Sequence, residues 1–177
     1  MENIRITSGE FRGRSIKSPN SKLTHPMGSR EKLALFNMIS DYLPGASVLD
    51  AFAGSGALGI EALSRGAGSA VFVEKSNSVS RIIKENVSSL GLDDYANIIT
   101  GDVSSLKIDE KFDIIIADPP YDNFEPSKLK NLVALLKNTG IFVLSHPKEA
   151  PLIDGLELQK TRNYAVAQIS VYRPISE

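Results

Sequence analysis

The sequence predicts an α/β fold whose central sheet is mostly parallel and carries helices on both faces. From residue 46 onward, short apolar runs rich in β-branched residues alternate with amphipathic stretches, as in successive βαβ units. The last two strand-like stretches have no helix between them, which indicates an antiparallel hairpin at the sheet edge. At 177 residues, the chain is long enough for one ordinary domain with an appendage.

The N-terminal segment, residues 1–28, is predicted to be a small β-hairpin arm followed by a polar loop. Its apolar side chains alternate around Gly9 and Gly13, as in a short hairpin. Residues 30–42 then show helical spacing, and Pro44-Gly45 ends that helix. The apolar positions of this helix are Leu33, Leu35, Phe36 and Ile39.

Residues 29–177 are predicted to form the main domain, with strands and helices in alternation. We expect parallel strands at residues 47–52, 70–74, 96–100, 112–117 and 140–145. Helices are expected at residues 57–65, 77–90 and 126–138. The C-terminal hairpin should comprise residues 156–162 and 165–173 around Asn163-Tyr164.

Composition favours a soluble, cytoplasmic protein. The chain is 42% hydrophobic and 23% charged, and no apolar stretch approaches the roughly 18 residues of a membrane span. The first residues lack an apolar signal core, and there are no cysteines, so neither secretion nor disulfides are expected. The two histidines, His25 and His146, are far apart. We therefore expect them on the surface or in loops, and no metal site.

Charge is unevenly distributed, although the net charge is only −1. Residues 1–32 hold seven basic side chains against three acidic ones, which leaves the rest of the chain acidic. The basic residues are Arg5, Arg12, Arg14, Lys17, Lys22, Arg30 and Lys32. A basic arm on a neutral-to-acidic body indicates contact with phosphate groups, and a solvated hairpin is the alternative.

A glycine-rich loop follows the first strand of the main domain. Gly54, Gly56 and Gly59 satisfy the pattern G-x-G-x-x-G, which predicts a tight turn, a helix packed near the strand, and close approach of a ligand to the backbone. The neighbouring candidate cofactor contacts are Phe52, Ala53 and Ser55. A dinucleotide or an adenosyl amino acid would use such a loop equally well.

Acidic residues follow the strands beside this loop. Glu74, 20 residues after Gly54, is placed to accept both ribose hydroxyls of NAD or of S-adenosylmethionine. Asp50 would repel a pyrophosphate but suits the α-ammonium group of S-adenosylmethionine, so the methyl donor is favoured over nicotinamide. Asp102 could accept from an adenine amino group or cap a turn. The last candidate contacts are Val103 and Lys75, for which a solvated side chain is the simpler interpretation.

The segment Asp118-Pro119-Pro120-Tyr121 is the most informative motif. Two prolines stop the preceding strand because neither can donate to a ladder, and the chain therefore turns at the carboxyl edge, where open α/β sheets bind ligands. Asp118 and the Pro119 carbonyl could each accept one hydrogen of an exocyclic amino group. Tyr121 could stack on a planar base or merely cap the core. The motif predicts methylation of an amino nitrogen, but guanine, adenine and an amide would suit it equally.

Together these residues resemble class I S-adenosylmethionine-dependent methyltransferases, and more closely the bacterial RsmD family, which methylates guanine N2 in 16S ribosomal RNA. The resemblance covers residues 4–14, 25–37, 52–65 and 118–121. Three positions depart from the family pattern. His25 and Ser29 replace the usual arginine and aspartate, and a glutamate expected near Leu33 is missing. Arg30 and the motif at 118–121 are retained.

The resemblance implies a Rossmann-like, seven-stranded sheet with S-adenosylmethionine over the glycine loop and the target base beside Asp118. It implies catalytic roles for Asp118, Pro119, Pro120 and Tyr121, and RNA contacts from Arg5, Arg12, Arg14, Lys17 and Arg30. The partner would be 16S ribosomal RNA or the small ribosomal subunit, bound by a monomer without metal or membrane. Three alternatives remain open: methylation of DNA adenine N6 or a protein glutamine amide, a noncatalytic RNA-binding assembly protein, and a nicotinamide oxidoreductase.

Overall fold

A computed structural model describes residues 3–19, 27–123, 125–147, 149–164 and 167–175. The N-terminal hairpin consists of β1 (Asn3–Arg5) and β2 (Ser15–Lys17). The sheet strands are β3 (Ser47–Asp50), β4 (Ser69–Glu74), β5 (Ala96–Thr100), β6 (Phe112–Ala117), β7 (Leu136–His146), β8 (Leu156–Asn163) and β9 (Gln168–Pro174). The α-helices are α1 (Ser29–Met38), α2 (Ala57–Ser64), α3 (Asn77–Ser89) and α4 (Lys130–Val133).

The main sheet has seven strands in the order β5-β4-β3-β6-β7-β9-β8. Strands β3 to β7 pair in parallel, and β9 runs antiparallel to both β7 and β8. The α/β class, the seven strands, the C-terminal hairpin and the N-terminal hairpin are therefore confirmed. After β5 the chain returns to the other side of β3, so the order of the strands reverses between β3 and β6. Open α/β sheets bind ligands at such a switch point.

Alternate residues of the central strands enter two hydrophobic clusters on opposite faces of the sheet. Val48 and Ile114 belong to one cluster, whereas Leu49 and Ile115 belong to the other. This alternation follows from the period of two in a strand. A strand covered on both faces is apolar throughout, and the run at residues 112–117 was recognisable for that reason. Within the described ranges, no helix has the length and apolarity needed to cross a membrane.

The N-terminal hairpin is docked on the main domain through α2 and α3. The Glu10 N–H donates to the Ser64 carbonyl at 2.7 Å, and the Phe11 N–H donates to Ser64 Oγ at 3.0 Å. On β2, the Lys17 N–H donates to Asn86 Oδ1 at 2.8 Å, and Asn86 Nδ2 donates back to the Lys17 carbonyl at 2.9 Å. The arm thus has a fixed seat on the helices that follow the glycine loop and β4.

Three sequence-based expectations are wrong. The helix expected at residues 126–138 is a 3₁₀ turn, Pro126–Leu129, followed by the four-residue α4, and β7 begins early because Leu136 pairs with Phe112. Leu33 of α1 is 43% exposed, and Lys32 is buried instead. His146 is buried rather than exposed, and its Nε2 lies 2.8 Å from Ser170 Oγ. His25 lies outside the described residues.

Candidate active site

The glycine loop crosses the carboxyl end of β3 and leads into α2. Gly54 and Gly56 have φ angles of +54° and +82°, a backbone conformation that favours glycine. A Cβ on Gly59 would lie 2.3 Å from Phe72 Cε1, so this glycine allows α2 to pack closely on β4. A Cβ on Gly54 would meet no atom of the described residues within 4 Å. The loop therefore forms the predicted tight turn, with an open side over Gly54.

Two side chains of neighbouring elements hold the glycine loop. Asn86 of α3 donates from Nδ2 to the Ser55 carbonyl at 2.9 Å. Glu74, at the end of β4, accepts from the Gly54 N–H at 3.0 Å and from the Ser76 N–H at 2.8 Å. Each carboxylate oxygen of Glu74 receives one of these bonds and retains a further lone pair. Glu74 thus lies at the loop, and its two bonds fix its orientation. Its contact with ribose hydroxyls stays a prediction.

Asp50 ends β3 beneath the glycine loop and is completely buried. Its Oδ2 accepts from the Gly59 N–H at 2.9 Å, and none of the described residues donates to its Oδ1. Burial raises the pKa of Asp50 to about 7 against the Gly59 hydrogen bond, and the charges of Asp118 and Glu74 act in the same direction as burial. A cationic ligand at the loop would favour its ionised form. Direct contact with a ligand ammonium group stays a prediction.

Asp102 follows β5 and caps a short 3₁₀ turn, Val103–Ser105. It accepts from the Ser104 N–H at 2.9 Å and from Ser104 Oγ at 2.6 Å, and Lys75 Nζ lies 3.2 Å from its Oδ2. The Ser104 hydrogen bonds and then Lys75 lower the pKa of Asp102 to about 2. The turn-capping interpretation is therefore confirmed, and contact with an adenine stays a prediction. Val103 is buried, while Lys75 is exposed.

The motif at residues 118–121 begins where β6 ends. Burial raises the pKa of Asp118 to about 6, although a hydrogen bond from Ser145 opposes it. Pro119 is buried and Pro120 is exposed, and within the described ranges no backbone N–H is bonded to the Pro119 carbonyl. The Tyr121 hydroxyl is hydrogen-bonded to Ser145 Oγ, and its ring is only partly buried. This corner presents a carboxylate, a carbonyl and a ring.

The basic residues of the arm differ in their surroundings. Lys17 Nζ lies 2.7 Å from Glu85 Oε2. Arg14 donates to the Ser89 carbonyl at 2.8 Å and lies over the Phe11 ring. Arg5, Arg12 and Arg30 are exposed, and no acidic partner for them is present among the described residues. Arg5 and Arg12 of the arm, together with Arg30 at the start of α1, are therefore the best candidates for phosphate contacts.

The sequence did not reveal four residues that support this site. Lys32, Glu61, Asn86 and Ser145 are buried polar side chains. Ser145 is the one that reaches the motif at residues 118–121, through its hydrogen bond with Tyr121. Its only signal in the sequence was a polar residue closing the apolar run Ile141–Leu144 beside β6. Among the described residues, no group of three or more side chains could hold a metal ion.

Comparisons with known proteins agree with this geometry. A family model described as "Conserved hypothetical protein 95" matches residues 4–173. The putative rRNA methyltransferase YlbH of Bacillus subtilis is 33% identical over 184 residues, which cover 96% of this chain and 98% of that protein. Ribosomal RNA small subunit methyltransferase D of Escherichia coli K12 is 34% identical over 138 residues, with coverage of 77% and 68%, respectively.

A solved structure extends the likeness to three dimensions. The putative methyltransferase yhhF from Escherichia coli superposes with a TM-score of 0.88 and 27% identity, covering 99% of this chain and all of that one. The family model and the relatives together span nearly the whole described sheet and the arm. The chain belongs to the RsmD family of methyltransferases.

Proposed function

We propose that this protein transfers a methyl group from S-adenosylmethionine to the exocyclic N2 amino group of a guanosine in 16S ribosomal RNA. The observation that carries the proposal is the position of Asp118. Asp118 directly follows β6, at the point where the strand order reverses between β3 and β6. Its carboxylate is close enough to Asp50, beneath the glycine loop, for the two charges to interact. An amino-activating group and a cofactor loop thus share one edge of the sheet.

The residues at this edge fit a cationic donor. Three carboxylates, Asp50, Glu74 and Asp118, lie at or near the loop, and the charges of Asp118 and Glu74 disfavour ionisation of Asp50. A positive ligand would offset that effect. The open side over Gly54 gives a ligand access to the backbone, and the carboxylate of Glu74 retains acceptor capacity for ribose hydroxyls. When bound, S-adenosylmethionine supplies a methyl group on a cationic sulfur.

Asp118 and Pro119 supply the chemistry on the acceptor side. The lone pair of guanine N2 is delocalised into the ring, so the amino group is a weak nucleophile. An ionised Asp118 and the Pro119 carbonyl each accept one amino hydrogen, which draws the nitrogen toward tetrahedral geometry and frees its lone pair. The residue before a proline is confined to extended backbone, so Pro119 fixes the direction of Asp118.

The transfer step needs no group beyond these. The nitrogen lone pair forms a bond to the methyl carbon while the carbon–sulfur bond breaks and its electron pair stays on sulfur. The nitrogen, now cationic, then loses one proton to solvent. Because the pKa of Asp118 is about 6, its carboxylate is largely ionised at neutral pH and can serve as an acceptor throughout.

The exposed cations of the N-terminal region favour a nucleic acid over a protein amide as the substrate. Arg5, Arg12 and Arg30 are exposed cations, and phosphate contacts by such residues position a nucleic acid without reading its sequence. The relative from Escherichia coli is named for the ribosomal RNA of the small subunit, and we extend that substrate class to this chain. The choice of guanine N2 comes from the family resemblance.

The proposal is tested by identifying the product. The protein is incubated with labelled S-adenosylmethionine and with either undermethylated small ribosomal subunits or naked 16S RNA, and the nucleosides are analysed by mass spectrometry. We expect N2-methylguanosine. Labelled N6-methyladenosine alone, or no donor-dependent incorporation into either RNA, would contradict the proposal. The ratio between the two substrates shows which form the enzyme uses.

A further inference from the structure

Asn86 of α3 connects the N-terminal arm to the glycine loop. Its side chain is buried and lies between the two elements. On the arm side, its Oδ1 accepts from the Lys17 N–H at 2.8 Å, and its Nδ2 donates to the Lys17 carbonyl at 2.9 Å. On the other side, the same Nδ2 donates to the Ser55 carbonyl at 2.9 Å. One buried amide therefore joins β2 to the loop between β3 and α2.

The three hydrogen bonds use the full donor capacity of Asn86. The amide nitrogen carries two hydrogens, and each of the two carbonyls receives one of them. The partner of Oδ1 is an N–H group, so the surroundings fix which end of the amide is oxygen and which is nitrogen. A carboxylate of the same shape would instead place its lone pairs against two carbonyl oxygens. The site is therefore specific for an amide that spans the arm and the loop.

The Ser55 carbonyl needs this partner. Ser55 is 7% exposed and precedes Gly56, the N-cap of α2. The helix begins with the Gly56 carbonyl, which accepts from the Ile60 N–H at 2.9 Å, so the Ser55 carbonyl lies outside the helical hydrogen bonds. A buried carbonyl without a hydrogen bond costs free energy. Asn86 removes that cost and thereby holds the residue that directly follows Gly54, where the loop is open to a ligand.

We propose that Asn86 is a positioning residue that couples RNA binding by the arm to S-adenosylmethionine binding at the glycine loop. The inference rests on the proposed function, which assigns the donor to the loop and RNA phosphates to the arm. Asn86 is buried and its donors are used, so it touches neither ligand. A donor that orders the loop also orders Asn86 and β2, and RNA then meets an arm with less freedom to lose. Each ligand therefore raises the affinity for the other by the same factor.

A neighbouring contact between α3 and the arm offers a matched control. Lys17 Nζ lies 2.7 Å from Glu85 Oε2, and the two side chains are 56% and 55% exposed. Glu85→Gln removes this exposed ion pair and leaves the bonds of Asn86 to Lys17 and Ser55 in place. Asn86→Ala removes all three of those bonds. A difference between the two variants therefore reports on the connection through Asn86 rather than on the docking of the arm in general.

The first measurement uses wild-type protein without RNA. Hydrogen exchange of the backbone amides is followed by NMR with and without S-adenosylmethionine. We expect the donor to slow exchange at the Gly54 amide of the loop and, by about 5-fold or more, at the Lys17 amide that is bonded to Asn86. Slower exchange at Gly54 with no change at Lys17 would overturn the inference, because the donor would then order the loop without the arm.

The second measurement is the affinity for undermethylated small subunits, with and without saturating S-adenosylhomocysteine, which has no methyl group to transfer. For wild type and Glu85→Gln we expect this ligand to raise the affinity by about 5-fold or more, and for Asn86→Ala we expect a ratio of about 1. A merely structural role would lower both affinities and leave their ratio unchanged. An unchanged ratio in Asn86→Ala would therefore overturn the inference, and so would an equal loss in Glu85→Gln.

Failure of the proposed function has a different signature. If S-adenosylmethionine slows exchange at neither Gly54 nor Lys17, the glycine loop is not the donor site, and the inference falls with the proposed function. If Asn86→Ala does not fold, the exchange measurement on wild type still decides whether the loop and the arm are coupled.

Discussion

Lys32 Nζ lies 3.0 Å from Glu61 Oε2, and the two side chains are only 2% and 0% exposed. Glu61 also accepts from the backbone N–H groups of Thr7 and Ser8, both at 3.0 Å, and from Arg65 Nε at 2.9 Å. Burial opposes ionisation of Glu61, but hydrogen bonds from Thr7 and the charge of Lys32 outweigh it and lower its pKa. One carboxylate of α2 thus joins α1 to the N-terminal arm.

Replacing Glu61 by glutamine should destabilise the protein strongly. The amide keeps the shape but leaves the buried Lys32 without its counter-charge, and breaking a buried pair from one side costs about 3–5 kcal/mol. The free energy of unfolding is measured by urea titration. A Lys32→Met, Glu61→Gln double variant should lose less than the sum of the single losses, because the buried charge of Lys32 is removed together with its partner. Additive losses would show that the two residues are not coupled.

The contact between the arm and α2 predicts different effects of alanine substitution at Gly9 and Gly13, two glycines that both have a positive φ. A Cβ on Gly9 would lie 1.8 Å from the Ser64 carbonyl oxygen, whereas a Cβ on Gly13 would meet no atom within 4 Å in the part of the chain that the structure describes. With φ angles of +82° and +85°, backbone strain is similar in Gly9→Ala and Gly13→Ala. We expect Gly9→Ala to displace the arm and weaken RNA binding much more. Equal RNA affinities in a binding titration would contradict a role for the docked arm.

Neutralising the exposed cations of the arm should weaken RNA binding uniformly across sequences. For Arg12→Gln we expect a lower affinity and a slope of log affinity against log salt that is smaller by about 1, since one phosphate contact is lost. The control is Lys107→Gln, which removes an exposed cation from the main domain. If the control changes the salt dependence as much as Arg12→Gln does, the arm is not the phosphate-binding element.

Asp50 should make the protein less stable as the pH rises. Its folded pKa is about 7 against an ordinary value of 3.8, so in that interval the folded state binds more protons than the unfolded state. The stabilisation due to protonated Asp50 is therefore fully present below pH 3.8. It is lost as the pH rises through the folded pKa of about 7. Asp50→Asn should remove the part of that loss due to Asp50, while Asp118, whose pKa is also raised, keeps its own part. Parallel stability curves for wild type and Asp50→Asn between these pH values would refute it.

Asp113 should change the stability with pH in the opposite direction to Asp50, and it therefore serves as the control. Burial opposes ionisation of Asp113, but hydrogen bonds from Lys137 and Ser47 outweigh it and lower its pKa. Asp113 therefore adds to the free energy of unfolding at pH values above its ordinary pKa of 3.8. This stabilisation is lost as the pH falls below that value. Asp113→Asn should therefore leave the decline between pH 3.8 and about 7 unchanged while reducing stability at neutral pH.

The sequence predicted the fold where local pattern and tertiary structure agree. The bounds predicted for β5 and β6 are those observed. For β6 the reason is that an apolar, β-branched run of that length suits a buried strand. The prediction of a helix at residues 126–138 is wrong, although the apolar residues there do have helical spacing. Leu129, Leu132 and Leu136 are all buried, but the ladder with Phe112 takes Leu136 into β7. Strand pairing is long-range and leaves no local signal.

The same distinction applies to the candidate site. The glycine loop and the motif at 118–121 are continuous segments with their own backbone chemistry, so the sequence located them. Ser145 and Glu61 form hydrogen bonds with partners that lie 24 and 54 residues away in sequence, respectively. No spacing rule connects either residue with its partner. The burial of Asp50 could not be predicted from the sequence either. An aspartate at a strand end is ordinarily solvated, and Asp50 is buried because the glycine loop covers it.

The most direct test of the proposed chemistry is the Asp118→Ala variant, studied by calorimetry with S-adenosylmethionine and by single-turnover methylation of undermethylated small subunits. With the proposed role of Asp118 as acceptor of an amino hydrogen, we expect donor binding to persist while the methylation rate falls by roughly 10² to 10³-fold. Methylation by Asp118→Ala at close to the wild-type rate, with the donor bound as before, would contradict the central claim.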